Sequence, residues 1–147
     1  MLALAAGAKE RAVPGMAYES AVADAMAVAA QRSDLRVMRV AGESMKPFFA
    51  EDAVIVVKPI DAARLRVGMI AVYVNRFGEK VAHRVEAPVE GGWQVKGYNN
   101  GRADTTVVNG NNLLGVVYAT FQAAGRRAEI ASAGLPAIET VYAAPAR

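Results

Sequence analysis

One serine and one histidine are the residues of this chain whose types and surroundings could do chemistry together. Ser44 lies in residues 40–47, a stretch that reads as a tight turn. Gly42 permits backbone angles closed to other residues, and Pro47 disfavours a helix or a central strand there. His83 is the only histidine of the chain. A serine hydroxyl needs a base to become a nucleophile, and histidine titrates near neutral pH, so the two form a candidate nucleophile and base.

Both residues also have plainer structural explanations. Serine and glycine cluster in turns of every kind, so the stretch around Ser44 taken alone favours a hairpin turn over catalysis. His83 alternates with Val81 and Val85 in the period-two pattern typical of a strand. A lone histidine on an apolar strand face is more often a satisfied core residue than a base. The pair is therefore a hypothesis that needs support from the rest of the chain.

That support comes from three sequence boxes. Residues 42–47, followed by 51–56, are similar to a nucleophile box with Ser-Met-x-Pro and a strand behind it. Residues 65–73 are similar to a Gly-Asp-Ile-Val-Val-Tyr strand. The third box comprises residues 83–85, 95–100 and 114–117. Together the boxes resemble the serine peptidase superfamily of type I signal peptidases and self-cleaving LexA-like repressors, over about residues 37 to 120.

The resemblance is nearest to the archaeal and endoplasmic-reticulum signal peptidases, which use a histidine base where the other branches use lysine. It implies a nucleophile, a base and an orienting acid, which fall on Ser44, His83 and Asp104. Tyr98 stands where that branch has an earlier aspartate, so support for the histidine would rest on Asp104 alone. In this reading Lys46 is a surface residue and not a base.

The nucleophile box also implies where the substrate and the oxyanion would bind. Gly42, Met45 and Pro47 flank the nucleophile and are expected to form that part of the site. Gly42 occupies the position where bacterial signal peptidases carry a second hydroxyl. The chief oxyanion donor would therefore be the backbone N–H of Ser44.

The pattern of the remaining chain predicts a mainly β fold with one short N-terminal helix. The resemblance implies that this fold is a compact signal-peptidase/LexA-like catalytic β-core. The helix is predicted over residues 18–31, with Ser20 near its start as a cap and an apolar face of Val22, Met26 and Ala29 or Ala30. Strands are predicted over residues 35–40, 53–58, 69–75, 80–86, 93–96, 113–122 and 128–131. The domain division is an arm and helix over 1–34, a peptidase-like β-domain over 35–131 and a loosely held tail over 132–147.

Composition excludes several kinds of chemistry. The chain has 147 residues, of which 54% are hydrophobic, which is enough for the core of one domain. It has no cysteine, which rules out thiol catalysis and disulfides, and with one histidine no metal site and no cofactor are expected. The net charge of +3 is scattered, so no nucleic-acid partner is expected.

Three functions remain open at this point. The first is a serine endopeptidase that cleaves an extended polypeptide with small residues near the scissile bond by a Ser-His(-Asp) mechanism. The second is a self-cleaving regulator that cuts its own N-terminal arm at Ala6-Gly7. The third is an inactive binding module of the same fold. A cytoplasmic location is expected because no spanning segment is evident; a peripheral membrane contact stays open, and nothing indicates an oligomeric state.

Overall fold

Within the described residues, seven β-strands form one sheet that closes on itself. The computed structural model describes residues 15–124 and 137–147. The strands are β1 (Arg36–Gly42), β2 (Val54–Lys58), β3 (Ile70–Val74), β4 (Lys80–Val89), β5 (Gly92–Lys96), β6 (Leu113–Phe121) and β7 (Glu139–Ala143). They are ordered β3-β6-β2-β1-β7-β4-β5, and β3 also pairs with β4, so six strands make a closed barrel with β5 outside the ring. In the part of the chain that the structure describes, the predicted mainly β fold with one α-helix is confirmed.

Alternation along the strands divides the apolar residues between the barrel interior and its outer surface. On β2, Ile55 and Val57 join the interior cluster, whereas Val54 and Val56 belong to a second cluster on the outside. The interior is completed by Met38, Val40, Met45, Phe49, Ala53, Val72, Ala82, Val141 and Ala143. Since successive side chains of a strand point to opposite faces, β2 contributes to both clusters.

Helix α1 (Tyr18–Ala29) covers the outside of β1, β2 and β6. Its buried side chains recur at helical spacing and are Tyr18, Ala21, Val22 and Ala25. Val22 lies on the predicted face, but Met26 is 41% exposed, because the face that packs on the sheet is centred on Ala21 and Ala25. The predicted cap at Ser20 is also wrong: the helix already begins at Tyr18, with Ala17 as N-cap and no side-chain cap.

Strand β7 corrects the predicted tail. It lies between β1 and β4, parallel to both, and its Val141 and Ala143 are buried in the barrel interior. At its start, Glu139 accepts two hydrogen bonds from Arg36 of β1. The prediction of a loosely held tail is therefore wrong for residues 137–147. The alternating residues of β7 are few and lie among glycines and prolines. The local sequence therefore did not indicate a strand that pairs with residues so distant in the chain.

The other predicted strands are found within a few residues of their expected bounds. β4 is the main exception, since it continues three residues past the expected end at Glu86 and pairs there with β5, Pro88 opposite Trp93. The strand expected over 128–131, the Ala6-Gly7 bond and the division at 131/132 lie outside the described residues. Among the described residues, no helix is both long enough and apolar enough to cross a membrane.

The contact between β1 and β7 can be tested at Gly42. This residue has a φ of +116°, and a side chain there would overlap the carbonyl oxygen of Ala143. Gly78, in the β3–β4 turn, has a φ of +83° but open space around it. We expect Gly42→Ala to lower the free energy of unfolding by about 1–3 kcal/mol more than Gly78→Ala, because only Gly42→Ala adds a clash to the backbone strain.

Urea unfolding of the two alanine variants measures this difference. Gly78→Ala is the control for the cost of placing a side chain at positive φ. Equal losses of stability in the two variants would show that β7 does not approach β1 as closely as described.

Candidate active site

Ser44 sits in a turn directly after β1 whose backbone is held on both sides. Its carbonyl oxygen accepts a hydrogen bond from the N–H of Asn99 at 2.6 Å, and the N–H of Phe48 donates to the carbonyl oxygen of Met45 at 2.9 Å. The side chains of Met45 and Phe49 anchor the turn in the barrel interior. Ser44 itself is 5% exposed. The turn thus holds the hydroxyl on a rigid support near the surface.

His83 reaches that hydroxyl from the middle of β4. The residue pairs with Ala71 of β3 and is fully buried. Its Nε2 lies 2.9 Å from the Oγ of Ser44, although the two residues are 39 positions apart in sequence. The structure therefore brings the predicted nucleophile and base within hydrogen-bond distance.

Asp104 contacts the other nitrogen of the same ring. Its backbone N–H donates to the carbonyl oxygen of Val95 in β5, which fixes the loop that carries it. The Oδ2 atom lies 2.5 Å from Nδ1 of His83, and the carboxylate is 6% exposed. A carboxylate at Nδ1 favours a proton on that nitrogen, so the lone pair of Nε2 can face Ser44. The three predicted residues form one connected chain of contacts.

Tyr73 of β3 is a fourth member, to which the sequence analysis assigned no role. Its hydroxyl donates to Oδ2 of Asp104 and lies 3.3 Å from Nδ1 of His83. Burial raises the pKa of the Tyr73 phenol far above its usual value, and the hydrogen bond and negative charge of Asp104 raise it further. The phenol therefore stays protonated and acts as a donor to the carboxylate.

A signal for Tyr73 was present in the sequence. In the β3–β4 hairpin Tyr73 stands opposite Val81 and Ala71 opposite His83. Side chains at such diagonal positions lie on one face of the sheet and within reach when one of them is long. The register, read from the turn at residues 75–79, would have placed the phenol beside the imidazole.

The three residues expected to bind the substrate and the oxyanion have different surroundings. Met45 is fully buried in the barrel interior, so the prediction that it contacts substrate is wrong for its side chain; the methionine anchors the turn instead. Pro47 is exposed in the same turn. The N–H of Gly42 donates to Oε1 of Glu51 at 2.6 Å, so this donor already has an acceptor.

The predicted oxyanion donor is also engaged, by the segment that follows β7. The N–H of Ser44 donates to the carbonyl oxygen of Ala143 at 3.2 Å. The next carbonyl oxygen, of Ala144, accepts from Nδ2 of Asn100 at 3.0 Å and lies 3.0 Å from Nε2 of His83. Residues 143 and 144 are therefore part of the site, which the sequence analysis did not foresee.

Other residues weighed from the sequence lie apart from this chain of contacts. Lys46 is exposed and pairs with Glu43, with 2.5 Å between its Nζ and Oε1. Tyr98 is half exposed, and its ring packs edge-on against Phe48 with 4.6 Å between centroids. Among residues 15–124 and 137–147, no group of three or more His, Cys, Asp or Glu side chains converges as metal ligands would.

A family profile matches most of the chain. The profile of the Peptidase S24-like family matches residues 1–118, a span that includes Ser44, His83 and Asp104. Comparisons with curated proteins and with solved structures gave no match. Since the profile covers most of the chain, the protein belongs to the Peptidase S24-like family, in the superfamily of LexA and the signal peptidases.

Proposed function

We propose that the protein is a serine endopeptidase with Ser44 as nucleophile, His83 as general base and Asp104 as the residue that orients the base. The observation that carries this proposal is the 2.9 Å contact between Oγ of Ser44 and Nε2 of His83, in a chain that belongs to a peptidase family. The contact of Asp104 with Nδ1 supplies the third part of a triad.

The proposed reaction follows from these contacts. Nε2 of His83 takes the proton of Ser44 as Oγ attacks the carbonyl carbon of the substrate. The resulting imidazolium donates its proton to the leaving amine, which leaves an acyl ester on Ser44. Water then attacks the ester, again with His83 as base, and releases the acid and the free serine. The oxyanion donor is the N–H of Ser44, which must exchange its present acceptor for the substrate oxygen.

The histidine base supports a relationship to the archaeal and endoplasmic-reticulum signal peptidases, apart from the bacterial signal peptidases and LexA-like repressors, which use lysine. Its partner would be an extended polypeptide with small residues near the scissile bond, bound as an added strand. A cytoplasmic location stays a prediction from the sequence. The self-cleaving regulator and the inactive module remain alternative hypotheses.

Reaction with a fluorophosphonate, which labels activated serines, tests the proposal. We expect the wild type to gain one phosphonyl group on the peptide that contains Ser44, and the Ser44→Ala variant to gain none. Ser20→Ala, which removes an exposed serine of α1, is the control and should label normally. Mass spectrometry after prolonged exposure at mildly alkaline pH gives the readout. Absence of Ser44-dependent labelling would contradict the proposal.

The role of Asp104 gives a second test. We expect Asp104→Asn to slow the labelling of Ser44 by roughly a thousandfold or more, because asparagine favours the wrong tautomer of the imidazole. Circular dichroism and thermal unfolding should show a folded protein. Asp61→Asn is a suitable control, since the Asp61 side chain caps the short 3-10 helix (Ala62–Arg64) before β3. Near-normal labelling of Asp104→Asn would reduce the triad to a dyad of Ser44 and His83.

Tyr73 is expected to be a positioning residue, and Tyr73→Phe tests this. Loss of a hydrogen bond to a charged group should slow labelling by about 10–100-fold. Thermal unfolding of the variant is measured beside its labelling rate. A merely structural role would lower stability and leave the labelling rate of the folded protein unchanged. Tyr118→Phe, at an exposed tyrosine of β6, is the control.

A further inference from the structure

We propose that residues 143–147 are a tethered peptide ligand of the serine centre, which occupies the place of a substrate and holds the centre closed until it is displaced. This inference rests on the proposed function. β7 runs parallel to β1 as far as Ala143. The hydrogen bond from the N–H of Ser44 to the carbonyl oxygen of Ala143 continues this pairing beyond the end of β1. The Ala143 carbonyl oxygen thus lies where a substrate oxygen would bind the oxyanion donor.

The next residue competes with Ser44 for the base. Nε2 of His83 lies 2.9 Å from Oγ of Ser44 and 3.0 Å from the carbonyl oxygen of Ala144. A carbonyl oxygen can only accept, so it favours a proton on Nε2, whereas a base that takes the serine proton must present a lone pair. The Ala144 carbonyl therefore opposes the form of His83 that activates Ser44, which is why we assign the segment an inhibitory role.

The far end of the segment is held by a subsite for a basic side chain. The guanidinium of Arg147 lies 3.9 Å from the ring centroid of Phe77, and its Nη1 is 3.0 Å from Oε1 of Glu79. The backbone oxygen of Arg147 accepts from both the N–H and the Oγ1 of Thr105, at 2.7 and 2.9 Å. The guanidinium thus meets an aromatic face and a carboxylate, and the backbone oxygen meets two donors of Thr105. These contacts suit an extended peptide that carries arginine at this position.

The intervening residues complete the match to a peptide groove. Ala144, Pro145 and Arg147 line a small cavity together with His83 and Asp104, and that cavity has no space for a water molecule. Nδ2 of Asn100 donates to the same Ala144 oxygen that faces His83. The groove is therefore expected to bind a peptide with two successive alanines beside Ser44 and His83, as at Ala143 and Ala144. A basic residue follows four positions after the first alanine, as at Arg147.

A charge reversal in the full chain tests the proposal. Arg147→Glu places a carboxylate against Glu79 and should loosen the segment, so the labelling of Ser44 by a fluorophosphonate should become about five- to tenfold faster. The control Arg64→Glu makes the same change at an exposed arginine of the 3-10 helix and should leave the rate unchanged. Combining Arg147→Glu with Glu79→Arg restores opposite charges and should return the rate towards that of the wild type.

A peptide added in trans tests the ligand class. Acetyl-Ala-Ala-Pro-Ala-Arg should slow the labelling of the Arg147→Glu variant, and the same peptide ending in Glu should not. An unchanged labelling rate in Arg147→Glu would overturn the proposal while leaving Ser44 as the nucleophile.

A readout that needs no reaction separates the two proposals. His83 is the only histidine of the chain, so its ring nitrogens can be assigned in ¹⁵N NMR spectra without ambiguity. The Nε2 resonance should move towards that of an unprotonated nitrogen in Arg147→Glu but not in Arg64→Glu. If no form of the protein is labelled, the proposed function fails, and this resonance alone decides on the segment: a shift supports its contact with His83, and an unshifted Nε2 overturns it.

Discussion

A buried imidazole must find partners for both of its ring nitrogens, and much of this structure is arranged around that requirement. His83 is fully buried on β4, so an unpaired nitrogen would cost the desolvation energy of a polar group, about 1–3 kcal/mol. Asp104 contacts Nδ1, while Ser44 and the Ala144 carbonyl lie at Nε2. These partners come from three separate segments, which the closed barrel brings to one point beside β4.

Close backbone approach at two glycines makes that convergence possible. Gly42 lets β7 lie against the end of β1, where a side chain would overlap the Ala143 carbonyl. At Gly97 a Cβ atom would lie 2.9 Å from Cβ of Ser44, so only glycine allows the loop after β5 to pack against the serine turn. The same loop carries Asn100 and Asp104 into the site. Both glycines are therefore needed to bring the segments of the site close together.

How much could be predicted from the sequence depended on whether the signal was local. Ser44 and His83 lie in boxes of a few residues whose order is specific, and Asp104 was implied by the family resemblance, which has an aspartate at that place after the Gly97-Tyr98-Asn99-Asn100 stretch. The register of the β3–β4 hairpin places Tyr73 beside His83. Tyr73 was nevertheless missed, because the residues around it have the pattern of an ordinary buried strand. β7 was missed because its ladder joins residues about a hundred positions apart, as at Arg36 and Glu139, and no local pattern encodes such a pairing.

The central claim is that Ser44, His83 and Asp104 act as one unit, and a double-mutant cycle tests it most directly. The rate of phosphonylation of Ser44 would be measured in His83→Gln, in Asp104→Asn and in the double variant. If Asp104 acts only through the imidazole, the double variant should react no more slowly than His83→Gln alone. A loss in the double variant equal to the product of the two single losses would show that the residues act independently and would contradict the account.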